Sequence, residues 1–197
     1  MNKIDCFKKE INCIKDERLK DNLKRIIELL PDYFFHIQAS SSGKYHPDYA
    51  LGEKGLVRHS KVAFRFGYEI LVTHTFGDEF TEKEKDLLLM SLLVHDGLKK
   101  GKVEEEYTRF DHPIIMAEFI VELKDKLSLN DDEISFIHDA IISHMGEWNT
   151  NKYNKTVLPK PETKYQKFVH LCDYLASRKL LNFNFDDNSN LIDSEDC

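Results

Sequence analysis

A strongly apolar segment that ends in two adjacent polar side chains constrains the fold of this chain more than any other feature. The run 87–94 is dominated by leucine and is followed directly by His95 and Asp96. Such a run predicts a buried helix. Burying an imidazole and a carboxylate at its end is costly unless something binds them. A metal ion is the partner that the doublet favours, because both groups are ligands of divalent first-row metals.

Apolar residues recur at three- and four-residue steps along most of the chain, which is the spacing of amphipathic helices. We find no alternating strand pattern of useful length and no internal repeat. The pattern predicts an all-α, single-domain helical bundle. We expect one or two helices within 3–30, and further helices at about 56–70, 81–95, 113–126, 130–145 and 162–181.

Local signals support several of these helix starts. Thr81 followed by Glu84 is a capping-box pattern, and Asn130 stands where a helix cap is expected. Pro113 lies in a first turn, where proline is tolerated.

The pattern divides the chain into three parts. Residues 1–35 form an extra N-terminal amphipathic segment that we expect to pack on the core, and 45–182 form the main helical domain with the metal ligands. Residues 183–197 are an acidic segment that we expect to be mobile. The apolar stripe of the N-terminal segment is typical of a core face, but a dimer contact is the alternative, so a homo-oligomer stays open.

The composition of the chain limits the classes of partner that it is expected to bind. The 197 residues carry a formal net charge of −7, which argues against extended nucleic-acid binding but leaves room for a small anionic substrate held by local cations. No stretch approaches the roughly 20 apolar residues of a membrane span, and the start of the chain lacks a signal-peptide pattern. The four cysteines form no CxxC pair. We therefore expect a reduced, cytoplasmic protein without membrane partners.

Further histidines and a second aspartate join the doublet as candidate metal ligands. His59, His144 and Asp173 lie on the apolar faces of their predicted helices. For any single residue of this kind, a structural hydrogen bond is the commoner explanation. Inward-facing groups from several helices together favour a metal site in the bundle. The candidate ligands are His59, His95, Asp96, His112, His144 and Asp173.

These motifs resemble the HD superfamily of metal-dependent phosphohydrolases. The likeness runs from about residue 45 to 179. His59 corresponds to the first histidine of the family, His95-Asp96 to its signature doublet, and Asp173 to its last aspartate. The pattern is specific for the superfamily and weak for the substrate. It implies an HD-type helical fold.

The resemblance also covers two intermediate histidines, His112 and His144, which are typical of members that hold two metals. One departure is Gly97, which directly follows the doublet, where many relatives have glycine one residue later. The resemblance implies one or two divalent ions, and the sequence does not distinguish Mn, Fe, Co, Ni, Mg and Zn. It implies that His59, His95, Asp96 and Asp173 hold the first ion and that Asp96, His112 and His144 hold the second.

Two ions that share a bridge activate water near neutral pH and neutralise phosphoryl oxygens. The resemblance therefore predicts hydrolysis of a small phosphate ester or anhydride, with a nucleotide as the leading substrate. The predicted catalytic residues are Asp96, Lys99 and Arg58, of which Lys99 stands where the family has its lysine. The predicted substrate-binding residues are Lys99, Lys100, His46 and Trp148.

Several of these roles have alternatives. Trp148 is predicted to stack a base, although anchoring its loop is the commoner role of such a residue. His170, one helical turn before Asp173, either supports a ligand or is a structural histidine.

Other functions are compatible with the same ligand set. A nuclease or cyclic-nucleotide phosphodiesterase would use the same hydrolytic chemistry, and a basic groove leading to the metals would favour a polymer. A diiron oxygenase would use the same side chains with O₂. A non-catalytic sensor would need a degenerate site, which the intact set argues against.

Overall fold

α-Helices account for the regular structure of this chain in the computed structural model, which describes residues 2–44, 46–181 and 183–192. Within these ranges there is no β-strand, and the expected all-α class is confirmed. No helix in the described ranges is both long enough and apolar enough to cross a membrane. The helices are α1 (Lys8–Asn12), α2 (Glu17–Leu29), α3 (Gly55–Leu71), α4 (His74–Gly77), α5 (Glu82–Val94), α6 (His112–Glu122), α7 (Asp131–Ile142) and α8 (Lys164–Ala176), with short 3₁₀ segments at Asp5–Phe7, Asp32–Phe35, Asp48–Ala50 and Lys124–Lys126.

Three of the long helices begin with a capping box. At α5 the Thr81 hydroxyl accepts a hydrogen bond from the Glu84 backbone N–H at 3.3 Å, and the Glu84 carboxylate accepts from the Thr81 backbone N–H at 2.7 Å. Asn130 and Glu133 form the same reciprocal pair at α7, and Thr163 begins α8 in the same way. These bonds satisfy N–H groups that a first helical turn leaves unpaired. The predicted starts at Thr81 and Asn130 are confirmed.

The prediction for the last helix was too long, because α8 ends at Ala176 and not near residue 181. The hydroxyl of Ser177 donates to the Tyr174 carbonyl at 2.7 Å, and Arg178 Nε donates to the same oxygen at 3.2 Å. The Arg178 backbone N–H turns instead to the Leu175 carbonyl, at 3.0 Å. Side-chain donors therefore replace the helical hydrogen bond that would continue α8.

Helix α5 lies at the centre of the bundle. Every residue from 86 to 94 is buried, and α2, α3, α7 and α8 all pack against it. Helix α3 also packs on α8, and α6 packs on α7. Because α5 is surrounded, its C-terminal end places His95 and Asp96 in the protein interior and not in solvent.

The N-terminal segment shares the same core. Phe7 and Leu19 are fully buried among the core side chains. The carboxylate of Asp86 on α5 accepts hydrogen bonds from the backbone N–H groups of Lys15 at 3.0 Å and Asp16 at 2.9 Å. This buried carboxylate joins the turn between α1 and α2 to the central helix.

The C-terminal segment 183–192 folds back onto the core. The rings of Phe183 and Phe185 each lie 5.7 Å from that of Tyr49, measured between centroids, whereas Asp186 and Asp187 are exposed. Residues 193–197, which carry the rest of the predicted acidic tail, lie outside the described residues. So do residues 45 and 182, the predicted limits of the main domain.

A buried carboxylate on α7 connects three helices. Glu133 is 1% exposed and accepts from both terminal nitrogens of Arg18 in α2, at 2.9 and 2.7 Å, and from Lys83 Nζ in α5, at 2.6 Å. Burial opposes ionisation of Glu133, but Arg18, Lys83 and the backbone N–H of Asn130 lower its pKa to about 2.

We expect Glu133→Gln to lower the free energy of unfolding at pH 7 by about 2–3 kcal/mol, because two cations then face a neutral amide. The native pKa lies below the unfolded value near 4.5, so the carboxylate stabilises the fold above pH 4.5 and this contribution is lost as the pH falls towards 2. Urea denaturation should therefore show a smaller difference between variant and parent at pH 3 than at pH 7.

Glu122 is the matched control, because its carboxylate is exposed and pairs with the partly exposed Lys102. Glu122→Gln should change the free energy of unfolding by less than about 0.5 kcal/mol. Equal losses in the two variants would contradict the role of Glu133.

Candidate metal centre

Separate helices bring six imidazole and carboxylate side chains to one place in the core. His59 lies in the second turn of α3, His95 and Asp96 directly follow α5, and His112 is the first residue of α6. His144 lies two residues after α7, and Asp173 lies on α8. All the imidazoles and the Asp96 carboxylate are at most 2% exposed, and the Asp173 side chain is 16% exposed.

One side of the cluster consists of two imidazoles facing two carboxylates. His59 Nε2 lies 2.9 Å from Asp173 Oδ1 and 3.6 Å from Asp96 Oδ2. His95 Nε2 lies 3.3 Å from Asp173 Oδ1 and 3.4 Å from Asp96 Oδ2. Four donor atoms from two helices, α3 and α8, and from the end of α5 therefore converge on a single point.

The other side of the cluster uses the second oxygen of the same aspartate. Asp96 Oδ1 lies 3.0 Å from His112 Nε2 and 3.5 Å from His144 Nε2. The two Nε2 atoms are 3.1 Å apart. Each carboxylate oxygen of Asp96 thus faces a different pair of imidazoles.

Two overlapping groups of ligand atoms within this cluster could hold a metal ion. One group is His59, His95 and Asp173, and the other is His95, Asp96 and His144, with the ligand atoms of each group within 4.8 Å of one another. His112 belongs to neither group but lies next to the second one through Asp96 and His144.

Backbone carbonyls set which nitrogen of three imidazoles faces the centre. The Nδ1–H groups of His95, His112 and His144 donate to carbonyls three residues earlier in the chain, at 2.7, 2.7 and 2.9 Å. A neutral imidazole that donates through Nδ1 presents an unprotonated Nε2. In their neutral form, these three imidazoles therefore point lone pairs into the cluster, as metal ligation requires.

Several atoms of the cluster lack the partners that buried polar atoms normally have. Within the described residues, Asp96 Oδ1 and His95 Nε2 form no hydrogen bond of acceptable geometry despite their short contacts. With Nδ1 protonated on His112 and His144, their Nε2 atoms are both acceptors at 3.1 Å, which is unfavourable without a cation. Nitrogen and oxygen donors in this arrangement fit a divalent first-row metal.

The electrostatics keep both aspartates ionised. Burial works to raise the pKa of each, but Lys99 and His95 hold the pKa of Asp96 well below its usual range. The hydrogen bond from His59 and the charge of the nearby His95 likewise hold the pKa of Asp173 well below its usual range. Metal-binding carboxylates have to be deprotonated, so these aspartates are ready to bind a cation at neutral pH.

The imidazoles respond in different ways to their burial. Burial lowers the pKa of His59 and of His144, so both favour the neutral form that binds metals. For His95 burial also opposes protonation, yet the neighbouring Asp96 and Asp173 raise its pKa to about 10. Binding of a cation at His95 Nε2 therefore has to displace a proton.

Lys99, which was predicted to act in catalysis and substrate binding, directly contacts the cluster. It is 8% exposed, and its ammonium group donates a short hydrogen bond to Asp96 Oδ2. The turn after α5 makes this contact possible, because the Lys99 backbone N–H donates to the Asp96 carbonyl at 3.0 Å. A fixed positive charge thus lies beside the shared carboxylate.

The structure places the other predicted cations away from the ligand atoms. The guanidinium group of Arg58 donates to the carbonyls of Tyr49 and Leu51 and holds that loop. The Lys100 ammonium pairs with Glu104 at 3.0 Å. Their predicted roles in catalysis and substrate binding stay predictions.

His46 lies against the cluster. Its ring centroid is 5.1 Å from that of His59, with the planes at 73°. Its Nδ1 is buried without a hydrogen-bond partner in the described residues, and burial lowers its pKa to about 3. A neutral imidazole therefore borders the ligands where the sequence predicted a substrate contact.

His170 contacts the backbone of the candidate ligand His144, which is compatible with both of its predicted roles. Its Nδ1 donates to the His144 carbonyl at 2.7 Å, and its Nε2 lies 3.3 Å from Glu147 Oε2. Gly146 makes the close approach possible, because it has a φ of +59° and a Cβ there would lie 2.1 Å from the His170 ring. Only glycine fits both conditions without strain.

Sequence reasoning missed two side chains beside the centre, Tyr174 and Arg178. Tyr174 stacks on the predicted substrate residue Trp148, and the Arg178 guanidinium covers the Tyr174 ring. The sequence offered one signal for them. Tyr174 directly follows Asp173, and Arg178 comes four residues later, a spacing that places two residues on the same face of a helix.

Comparison with known proteins identifies no relative, because no family model, no curated protein and no solved structure matches the chain. The structure itself shows an all-helical protein with buried histidine and aspartate groups that could hold a metal ion. The sequence motifs alone carry the resemblance to the HD superfamily.

We expect Asp96→Ala to abolish binding of divalent ions while the helix content is kept, because Asp96 faces both pairs of imidazoles. His144→Ala should spare at least one equivalent of metal, since His144 approaches only Asp96 Oδ1 among the carboxylate oxygens of the cluster. Elemental analysis after dialysis against Mn²⁺ or Co²⁺ measures the metal content, and circular dichroism checks the helices.

His138→Ala is the control, because His138 lies on α7 with its ring next to Glu118 and Asp139, away from the cluster. It should bind as much metal as the parent protein. Full metal content in Asp96→Ala would refute the site.

Proposed function

We propose that this chain is an HD-type metal-dependent phosphohydrolase that acts on a nucleotide or a related small phosphate ester or anhydride. The observation that carries the proposal is the Asp96 carboxylate, whose two oxygens face two separate pairs of imidazoles at 3.0–3.6 Å. A shared carboxylate between two donor sets is the arrangement that a pair of divalent ions needs.

The residues would divide between two ions as the resemblance implies. His59, His95, Asp173 and Asp96 Oδ2 surround one position, whereas His112, His144 and Asp96 Oδ1 surround the other. When bound, divalent ions supply Lewis-acid chemistry that makes water a nucleophile near neutral pH and neutralises negative phosphoryl oxygens.

The charges of the site favour an anionic substrate. Two ionised carboxylates are opposed by the Lys99 ammonium, so addition of divalent cations makes the centre positive. A phosphoryl group suits such a centre, whereas a neutral substrate gains little from it. This supports phosphate hydrolysis over oxidation of an uncharged molecule.

Lys99 would contact the phosphoryl group and stabilise its charge in the transition state. Its ammonium group is buried and is held by Asp96, so its position is set before the substrate arrives. His46, which is neutral at physiological pH, borders the same centre. It would donate a hydrogen bond to the substrate or accept one from it.

The overall charge supports a small substrate over a polymer. A net charge of −7 gives no general attraction for a phosphate backbone, so recognition would have to come from the local cations at the site. We therefore place the nuclease alternative second.

The direct test is release of phosphate, pyrophosphate or nucleoside from a panel of nucleotides with Mn²⁺, Co²⁺, Fe²⁺ or Mg²⁺. We expect turnover with at least one nucleotide and its loss in Asp96→Ala. Lys99→Met should keep its metal, because it removes no ligand, and should lower kcat/KM by about 100-fold or more. His138→Ala should behave as the parent protein.

No product with any nucleotide and any metal would refute the proposal. Consumption of O₂ by an iron-loaded sample, with no phosphate released, would replace hydrolysis by oxygenation. Full activity of Lys99→Met would remove Lys99 from the site of phosphoryl transfer.

A further inference from the structure

Three side chains that the hydrolytic chemistry does not use form a stack beside the metal ligands. The rings of Trp148 and Tyr174 lie nearly parallel, with 5.5 Å between centroids and 10° between planes. The Arg178 guanidinium carbon lies 4.2 Å from the Tyr174 centroid and 5.7 Å from the Trp148 centroid. Aromatic stacking and cation–π attraction both stabilise this arrangement.

The stack is joined to two of the metal ligands. Tyr174 directly follows Asp173 on α8, and Trp148 comes four residues after His144. The His170 side chain lies between His144 and the stack. Its Nδ1 donates to the His144 carbonyl at 2.7 Å, and its ring centroid is 6.2 Å from the ring centroids of both Trp148 and Tyr174. The stack therefore borders the centre on the side of His144 and Asp173.

The position of Trp148 is fixed from several directions. The loop that follows it is closed by two hydrogen bonds between Asn149 and Leu158, at 2.9 and 3.0 Å. Arg178 is held by its own bonds to the Ser177 hydroxyl at 2.8 Å and the Tyr174 carbonyl at 3.2 Å. A ligand that binds here would meet a surface that is already ordered, which lowers the entropic cost of binding.

Two properties of the stack exceed what anchoring a loop requires. Trp148 is 46% exposed although Tyr174 stacks on one of its faces. Arg178 forms no ion pair with a carboxylate within the described parts of the chain, so its charge is not compensated locally. An open indole surface beside an uncompensated cation suits a flat, electron-rich ring with polar edges.

We propose that Trp148, Tyr174 and Arg178 form a platform that binds the nucleobase of a nucleoside phosphate, with the base stacked on the open face of Trp148. The inference rests on the proposed function and narrows the substrate class from small phosphate esters in general to nucleotides. Base–aromatic stacking supplies affinity with little dependence on base identity. The platform therefore selects for the presence of a base and not for one particular base.

Trp148 is the only tryptophan in the chain, so its fluorescence reports on this platform alone. We would titrate adenosine 5′-monophosphate into protein loaded with a divalent ion that supports no turnover, and follow the emission. Saturable quenching is expected, because a stacked base covers the indole. Ribose 5-phosphate, which has the sugar and phosphate without the base, should leave the emission unchanged.

Steady-state kinetics with a metal that supports turnover gives the second measurement. Trp148→Leu should raise the KM for adenosine 5′-monophosphate about tenfold and change its kcat and the KM for ribose 5-phosphate less than twofold. Trp148→Phe should recover most of the affinity. Tyr153→Leu is the matched control, because Tyr153 is 87% exposed on the same loop and takes no part in the stack; its KM should stay at the parent value.

Equal quenching by the two ligands, or none by the nucleotide, would overturn the platform. So would equal KM values in Trp148→Leu and Tyr153→Leu. If the nucleotide panel yields no product with any metal, the proposed function fails on its own, and the fluorescence titration still decides whether a base binds at Trp148.

Discussion

The rest of this structure depends on one constraint, which is that the buried carboxylate of Asp96 faces two pairs of imidazoles. Asp96 is fully buried, and its two oxygens point to different sides of the same cluster. An ionised carboxylate in an apolar interior is tolerated only when cations or hydrogen-bond donors surround it. Lys99 and the protonated His95 supply such charges, whereas the Nε2 lone pairs of His112 and His144 supply none. A metal ion between the members of the donor set, which could hold one, would supply further positive charge beside this carboxylate.

The bundle provides the rigidity that such a centre needs. The six candidate ligands leave five helices or helix ends, with His95 and Asp96 sharing the end of α5. The packing of α3, α5, α6, α7 and α8 around a common core therefore sets their directions. Backbone carbonyls fix the tautomer of three imidazoles without using any side chain for this purpose. These carbonyls belong to the last turn of α5, the loop before α6 and the last turn of α7. When these segments fold, they therefore also orient the imidazoles.

Much of this arrangement could be predicted from the sequence. The apolar run before His95 required a buried helix, and the capping pattern at Thr81 located its start. The end of α8 could not be predicted, because it depends on Ser177 and Arg178 donating to one carbonyl, a competition that apolar spacing does not encode. The Trp148–Tyr174 stack was also missed, since its two rings come from segments whose relative position only the folded chain defines. Motifs thus predicted the six side chains that the fold brings together, whereas packing determined the surface around them.

The most direct measurement is the anomalous X-ray scattering of crystals grown with Mn²⁺ or Co²⁺. The account predicts metal peaks on both sides of the Asp96 carboxylate, one near His59, His95 and Asp173 and one near His112 and His144. A single peak on the first side would reduce the centre to one ion. Peaks only at other places on the protein, with the six side chains unliganded, would contradict the account.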